Sequence, residues 1–340
     1  MSLSRLPKGA VLAASDPDAI CRAAELIQTG KLVAFPTETV YGLGCDAMNA
    51  IAVAKVFEAK QRPQFDPLIV HIADRKQLDT LLSSLPRLAE RLMDTFWPGP
   101  MTLVLPKQPA VPDLVTAGLE TVAVRMPNHP VAQALLREAG TPIAAPSANP
   151  FGYVSPTTAQ HVADGLKHNV DLILDGGACS VGVESTIISL AGATPEVLRP
   201  GSITIEQLSA VIGPVHRPAP STNKPTAPGQ LSRHYATKTP VIILASAGTR
   251  PMINAHERAG LLAFQDVANR EDALAAIEVL SPTGELLEAA QHLFAALRRL
   301  DGLGLDRIYV DPCREEGLGL AIMDRLRRCA AEEKLHGPMM

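Results

Sequence analysis

Aromatic side chains are scarce in this 340-residue chain: one Trp, four Tyr and seven Phe make up 4% of it. The core is therefore aliphatic, and extensive ring platforms for stacking single-stranded nucleic acid are not expected. Cysteine is sparse as well. The five thiols (Cys21, Cys45, Cys179, Cys313, Cys329) are odd in number, scattered and free of any C-x-x-C pair, so neither a disulfide framework nor a zinc site organises the fold. A reducing, cytoplasmic location is the expectation. No apolar run approaches the ~18 to 20 residues that cross a bilayer, and the stretch at 10–14 is too short for a secretory signal before it meets Asp16 and Asp18. Excess charge is missing too. A net charge of −4 argues against a protein that coats nucleic acid through a bulk positive field, while leaving room for a local cationic pocket.

Apolar residues, by contrast, are ample. They form 46% of the chain against 19% charged, with 24 Gly and 29 Pro, which excludes a disordered, collagen-like or coiled-coil protein. The length corresponds to about two domains. Ser15 or Asp16 is placed to cap a helix whose apolar positions Ile20, Ala23, Ala24 and Ile27 recur at helical spacing, with Gly30 where a C′ glycine belongs. A buried strand at 32–35, a helix at 50–59, a strand at 68–72 and two helices within 75–95 follow. Strands are predicted at 101–105, 121–126, 142–145, 172–174 and 186–190. This interleaving reads as α/β, helices packed on a sheet.

Between 213 and 240 the texture changes to six prolines, one aromatic (Tyr235) and no helical or strand period. Such a stretch is a semi-rigid linker or a functional loop laid over a surface. Beyond it, strands at 241–244, 261–264 and 307–310 and helices at 250–259, 272–277, 284–300 and 318–331 predict a second, smaller α/β unit. The expected boundaries are 1–212, 213–239 and 240–340.

Common nucleotide motifs fail. Gly177 and Gly182 have P-loop spacing, but Val183 and Glu184 stand where Lys and Ser/Thr would reach phosphate and Mg²⁺. Gly42, Gly44 and Ala47 fit a loose G-x-G-x-x-A, yet lie too far past the preceding strand for a dinucleotide turn. What remains is a set of polar residues at the ends of apolar strands. Phe35-Pro-Thr-Glu-Thr-Val-Tyr-Gly-Leu-Gly44 reads either as a substrate loop at a sheet edge or as a hairpin with an exposed Thr/Glu. Lys60-Gln-Arg62 reads as helix-dipole complement or, with His71, as an anion site. Arg125 closes one strand, Ser147-Ala-Asn149 leaves another, Glu184-Ser-Thr186 follows a glycine-rich loop able to point N–H groups at an anion, and Arg199-Pro-Gly201 ends the series.

In order and together, from about 15 to 212, these segments resemble the YrdC-type domain of L-threonylcarbamoyladenylate synthases. The linker motif Ala227-Pro-Gly229 through Arg233-His-Tyr-Ala236, followed by an α/β unit, resembles the two-domain branch with a C-terminal Sua-type domain. Thr237 departs from the proline common there, and the C-terminal match rests on length and position. The resemblance implies a twisted mixed sheet flanked by helices, then a linker and a smaller Rossmann-like α/β domain. It implies synthesis of threonylcarbamoyl-AMP and pyrophosphate from L-threonine, bicarbonate and ATP, with Mg²⁺ accompanying ATP and no protein-bound metal. The product feeds a tRNA threonylcarbamoyl transferase complex that modifies adenosine 37 in tRNAs reading ANN codons.

By the same resemblance Thr39, His71, Arg125, Ala145 and Ser185 hold threonine. Arg62, Asp66, Thr121, Ser147, Ser155, Arg199 and Tyr235 hold ATP, while Lys60, Arg62 and Asn149 form the catalytic phosphate end. Catalysis would be positioning and charge stabilisation, since carbamate formation and attack on phosphorus need no protein nucleophile. A carbamate is labile in water, so the linker is expected to act as a lid with Tyr235 reaching the nucleotide. Two alternatives stand beside this: an RNA-contacting YrdC-like module without synthase activity, and a carbamoyl-adenylate enzyme of hydrogenase-maturation type, whose zinc-finger and acylphosphatase segments are absent here.

Overall fold

The computed structural model describes residues 7–218, 225–231, 234–266 and 274–331. They divide into two compact units, one of residues 1–151 with 155–230 and one of 152–154 with 231–340.

Among the described residues the first unit has ten strands: β1 (Ala10–Ala13), β2 (Val33–Phe35), β3 (Gly42–Asp46), β4 (Ile69–His71), β5 (Met101–Pro106), β6 (Thr121–Arg125), β7 (Ile143–Ala144), β8 (Leu172–Asp175), β9 (Thr186–Ser189) and β10 (Glu196–Arg199). They form one mixed sheet in the order β1-β8-β2-β3-β7-β4-β6-β5-β9-β10. Its helices include α1 (Ala19–Gln28), α2 (Ala50–Lys60), α3 (Leu78–Leu81), α4 (Arg87–Phe96), α5 (Asp113–Thr116), α6 (Pro130–Ala139), α7 (Ala159–Leu166) and α8 (Ile205–Ile212).

Strand alternation sends side chains to two faces. On one, Leu43, Val70, Leu103, Val124 and Ile188 meet apolar residues of α2, α4, α7 and α8 in the main core. On the other, Val33, Phe35, Ile143, Leu172 and Leu174 are covered by α1 and α6. That cover stops halfway. Over β4, β6, β5 and β9 the patch of Ile69, Val104, Ala123 and Ile187 is packed by Ala227, with Leu198 beside it. A sheet face left without a helix, next to strand ends bearing charge, is where a ligand fits.

Two caps set the local geometry. Asn49 accepts from the Ile51 and Ala52 N–H groups to start α2, and Gln61 ends it in the left-handed region at φ 53°. Thr204 and Gln207 form a capping box that starts α8 directly after the Arg199-Pro-Gly201 turn. The long loop read at 35–44 is shorter than expected, because Gly42–Asp46 is a strand antiparallel to β2. Its turn is a hairpin, but one whose Thr37, Glu38 and Thr39 are buried.

The second unit has β11 (Val241–Ile243), β12 (Ala259–Ala263), β13 (Ala276–Val279) and β14 (Arg307–Val310), all parallel in the order β11-β14-β12-β13, with α9 (Leu286–Asp301) and α10 (Leu318–Ala330). Two predicted helices are corrected. Residues 250–258 are irregular: Met252 is 93% exposed, and no apolar stripe exists to bury a helix there. Of the helix expected at 272–277, Asp272 lies outside the described residues and Ala276–Val279 is a strand, its Ile and Val favouring the pleated state.

Candidate active site

The hairpin between β2 and β3 is tied by Thr37. Its Oγ1 donates to the Val40 carbonyl (2.7 Å) and accepts from the Thr39 and Val40 N–H groups (3.2 Å each). Tyr41 donates its hydroxyl to the Gly177 carbonyl at 2.7 Å, fixing the hairpin to the glycine-rich loop. Glu38 and Thr39 are thereby turned inward, 6% and 0% exposed.

Register then assembles a row. His71 of β4 pairs with Arg125 of β6, Arg125 with Thr102 of β5, and Thr102 with Ile187 of β9. A bulge after Val197 brings Arg199 of β10 opposite Ile187. Cross-strand partners share a face, so two guanidinium groups lie in one line over the sheet. Arg125 donates from Nη1 to Thr39 Oγ1 (2.8 Å) and from Nε to the Gly99 carbonyl (3.2 Å), and its Nη2 stands 2.7 Å from Glu38 Oε1. This last contact is an ion pair off the hydrogen-bond direction: among the described residues neither Glu38 oxygen has a hydrogen-bond partner.

Arg199 donates from Nη2 to Ser185 Oγ (3.0 Å), from Nε to the Ser185 carbonyl (3.1 Å) and from Nη1 to the Pro228 carbonyl (3.3 Å). Ser185 Oγ lies 2.8 Å from Thr102 Oγ1. His71 meets Phe35 edge-on at 6.2 Å. Burial, aided by the Arg125 charge, pushes its pKa down to about 3, so the imidazole is neutral. Ala145 follows β7, its N–H donating to the Ile69 carbonyl at 2.9 Å.

A second cluster sits at the end of α2. Lys60, 1% exposed, donates to the Ser147 carbonyl (2.5 Å) and to that of Asn149. Burial, then the nearby Arg62, holds its ammonium well below the usual lysine range. The left-handed Gln61 turns the chain so that Arg62 Nη2 lies 2.9 Å from Asp66 Oδ2 and donates to the Pro67 carbonyl at 2.8 Å. Burial raises the Asp66 pKa against the opposing pull of Arg62, Lys60 and Arg199. Ser147 bridges to Gly42, which joins this cluster to the hairpin. Ser155 donates to Glu184 Oε1 at 2.5 Å, next to Ser185. Thr121 begins the strand that Arg125 ends, on the same face and about 13 Å away along it.

The motifs meet through backbone as well. A Cβ on Gly201 would stand 2.3 Å from the Thr186 nitrogen and 2.7 Å from the Glu184 carbonyl oxygen, so the turn after Arg199 lies directly on the chain that carries Ser185.

Tyr235 belongs to the second unit. It is buried there, stacked on Phe294 (5.5 Å, 25°), edge-on to His234 (4.1 Å) and beneath the Arg325 guanidinium (5.4 Å). Arg233 lies outside the described residues. Thr39, His71, Arg125, Ser185 and Arg199 thus converge in one row, while Lys60, Arg62, Asp66, Ser147 and Asn149 gather around the turn after α2. Sequence reading assigned no role to Glu38 or Thr102. A carboxylate between two threonines was a signal for the first; a hydroxyl inside the aliphatic strand Met101–Pro106 was the faint one for the second.

Two family models match the chain: one described as telomere recombination, over residues 25–201, and one described as threonylcarbamoyl-AMP synthase, C-terminal domain, over 203–331. The threonylcarbamoyl-AMP synthase of Bacillus subtilis (strain 168) is 46% identical over 329 residues, 94% of either chain. The protein of that name from Pyrococcus abyssi is 44% identical over 317 residues, 91% of this chain and 93% of that one. Among solved structures, P. abyssi Sua5 complexed with L-threonine matches with a TM-score of 0.87 at 41% identity, covering 94% of this chain and 97% of the other. With both units matched and the likeness running over nearly the whole length, this chain belongs to the two-domain threonylcarbamoyl-AMP synthase family of nucleotidyltransferases.

Proposed function

We propose that the chain makes threonylcarbamoyl-AMP and pyrophosphate from L-threonine, bicarbonate and ATP, on the helix-free face of the first unit's sheet. The observation that carries this is the row in which Arg125 and Arg199 stand on one sheet face with the hydroxyls of Thr39, Thr102 and Ser185 between them. An α-amino acid carboxylate and a polyphosphate both call for guanidinium forks in a water-poor cleft.

Arg125, with Thr39, His71, Ala145 and Ser185, takes threonine. Arg199, Arg62, Ser147, Ser155 and Thr121 take ATP, with Asp66 fixing Arg62. Lys60 secures the loop bearing Ser147 and Asn149, at the phosphate end. Magnesium accompanies the phosphates of ATP and supplies charge neutralisation there. Glu38 and Asp66 are each already paired with an arginine, Arg125 and Arg62.

The threonine amine captures the carbon of bicarbonate, the carbamate attacks the α-phosphorus, and pyrophosphate leaves. Such a mixed anhydride requires a consumer, here the transferase complex that modifies tRNA. Residues 225–230, whose Ala227 packs on the face, form part of the cover that keeps water from the carbamate.

The test is pyrophosphate release by the purified protein, with threonine and bicarbonate omitted in turn. Release that needs both supports the synthase reading; release that needs neither removes it. Salt-sensitive RNA binding without turnover would favour the RNA-module reading instead. Among the described residues no helix is long and apolar enough to cross a membrane.

A further inference from the structure

Glu38 shares with Asp66 a buried carboxylate that has an arginine beside it and no hydrogen-bond partner among the described residues, but Glu38 alone of the two lies on the row with Thr39 and His71. It is 6% exposed, and its carboxylate forms an ion pair with Arg125 Nη2. Neither carboxylate oxygen accepts a hydrogen bond within the described residues. A buried carboxylate offers about four acceptor sites, and leaving them empty is costly unless a ligand supplies donors. Its neighbours narrow the donor. Arg125, the partner of Glu38, is also the partner of Thr39 and the register neighbour of His71. Side by side, Glu38 and Arg125 present a negative and a positive group, the complement of the two ends of an α-amino acid zwitterion.

We infer that Glu38 holds the ammonium of threonine and takes its proton as the amine becomes the nucleophile. This rests on the reading of the Arg125 site as the threonine site. In the step, an N–H bond of the ammonium breaks and an O–H bond forms on Glu38. The freed nitrogen lone pair forms the N–C bond to the bicarbonate carbon, a second N–H bond breaks as its proton passes to the bicarbonate hydroxyl, and the C–O bond to that hydroxyl breaks as it leaves as water. Ammonium, bicarbonate and the Glu38 carboxylate thus yield carbamate, water and the protonated Glu38, with atoms and charge conserved. Glu38 then returns its proton to solvent before the next turnover. Of the other titratable groups near Glu38, His71 and His129 are made weakly basic by burial, and burial pushes the Cys179 thiol up so that it stays protonated.

The experiment compares L-threonine with 3-hydroxybutanoate, which keeps the carboxylate and hydroxyl but lacks the amine, by calorimetric binding to the full-length protein. The wild type is expected to prefer threonine by about tenfold or more, as a buried charge-assisted contact should give. Glu38→Gln should collapse that preference toward unity by weakening threonine alone, and Glu38→Asp should keep part of it. At saturating threonine, pyrophosphate release by Glu38→Gln should fall at least about tenfold, with partial recovery in Glu38→Asp.

Equal weakening of both ligands in Glu38→Gln would mean that Glu38 merely orients Arg125, and would overturn the inference. Full turnover by that variant at saturation would overturn the proton-accepting role. The wild-type arm is decisive even if neither variant folds, since equal affinity for the two ligands would show that the ammonium meets no partner. A wild type that binds neither ligand would instead fail the underlying threonine-site reading.

Discussion

Arg125 has three fixed contacts, to Gly99, Thr39 and Glu38, so its guanidinium is oriented before any ligand arrives. Arg125→Lys keeps the charge and loses the fork. The expected result is a rise of about tenfold or more in the threonine KM for pyrophosphate release, with the ATP KM little changed. Lys60 makes a different case. Lys60→Met preserves length but leaves the Ser147 and Asn149 carbonyls without their donor, costing about 1 to 3 kcal/mol in urea unfolding and weakening ATP binding as the loop loosens. Neither partner carbonyl was visible in the sequence. Lys60 reads there as a residue complementing a helix dipole, because the atoms it holds lie 87 and 89 positions away. Glu38 was equally opaque: its residue type was plain, while its burial depends on a hairpin closed by Thr37.

Elements were more legible than pairings. Buried strands announce themselves as short aliphatic runs, and β2, β5, β6, β9 and β14 lie where those runs are. The failures have physical causes. Gly42–Asp46 carries two glycines and reads as loop, yet it pairs on both sides because Gly44 allows close approach: a Cβ there would meet Phe35 and Ile143 at 2.7 and 2.8 Å. Helical spacing at 272–277 gave way to the strand at Ala276–Val279, where parallel pairing with β12 and the β-branched Ile277 and Val279 favour the extended chain. The segment at 225–230 yields a prediction of its own. Ala227 is fully buried against Ile69, Val104, Ala123 and Ile187, so Ala227→Asp places an unpaired carboxylate on the apolar face. Pyrophosphate release should drop steeply while the thermal midpoint of unfolding moves little, since the segment is an addition to the sheet rather than one of its strands.

Proton linkage belongs to the folded chain as a unit. His71 titrates at about 3 when folded against 6.5 unfolded, so between those values the unfolded state binds the proton and the folded state does not. Its contribution to stability is complete above pH 6.5 and is lost as the pH falls toward 3, by up to about 1.4 kcal/mol per pH unit. Asp66, raised by burial, runs the other way, its contribution being lost as the pH climbs from 3.8 through the raised value. Denaturant unfolding of the wild type and of His71→Gln across pH 3 to 7 should therefore converge toward the acid end, the wild type losing more stability on acidification.

The strand order has one more consequence, for the birth of the protein. β5 pairs with β6 soon after both are made, but its other edge waits for β9, which begins at Thr186, some 80 residues after β5 ends at Pro106. At ~5 to 20 residues per second of translation, that aliphatic edge stays open for about 4 to 16 s on every nascent chain. Throughout that interval Met101–Pro106 is a template for the wrong strand. Codon speed and chaperone access between these two points therefore bear on how many molecules bring Ser185 and Arg199 to Arg125.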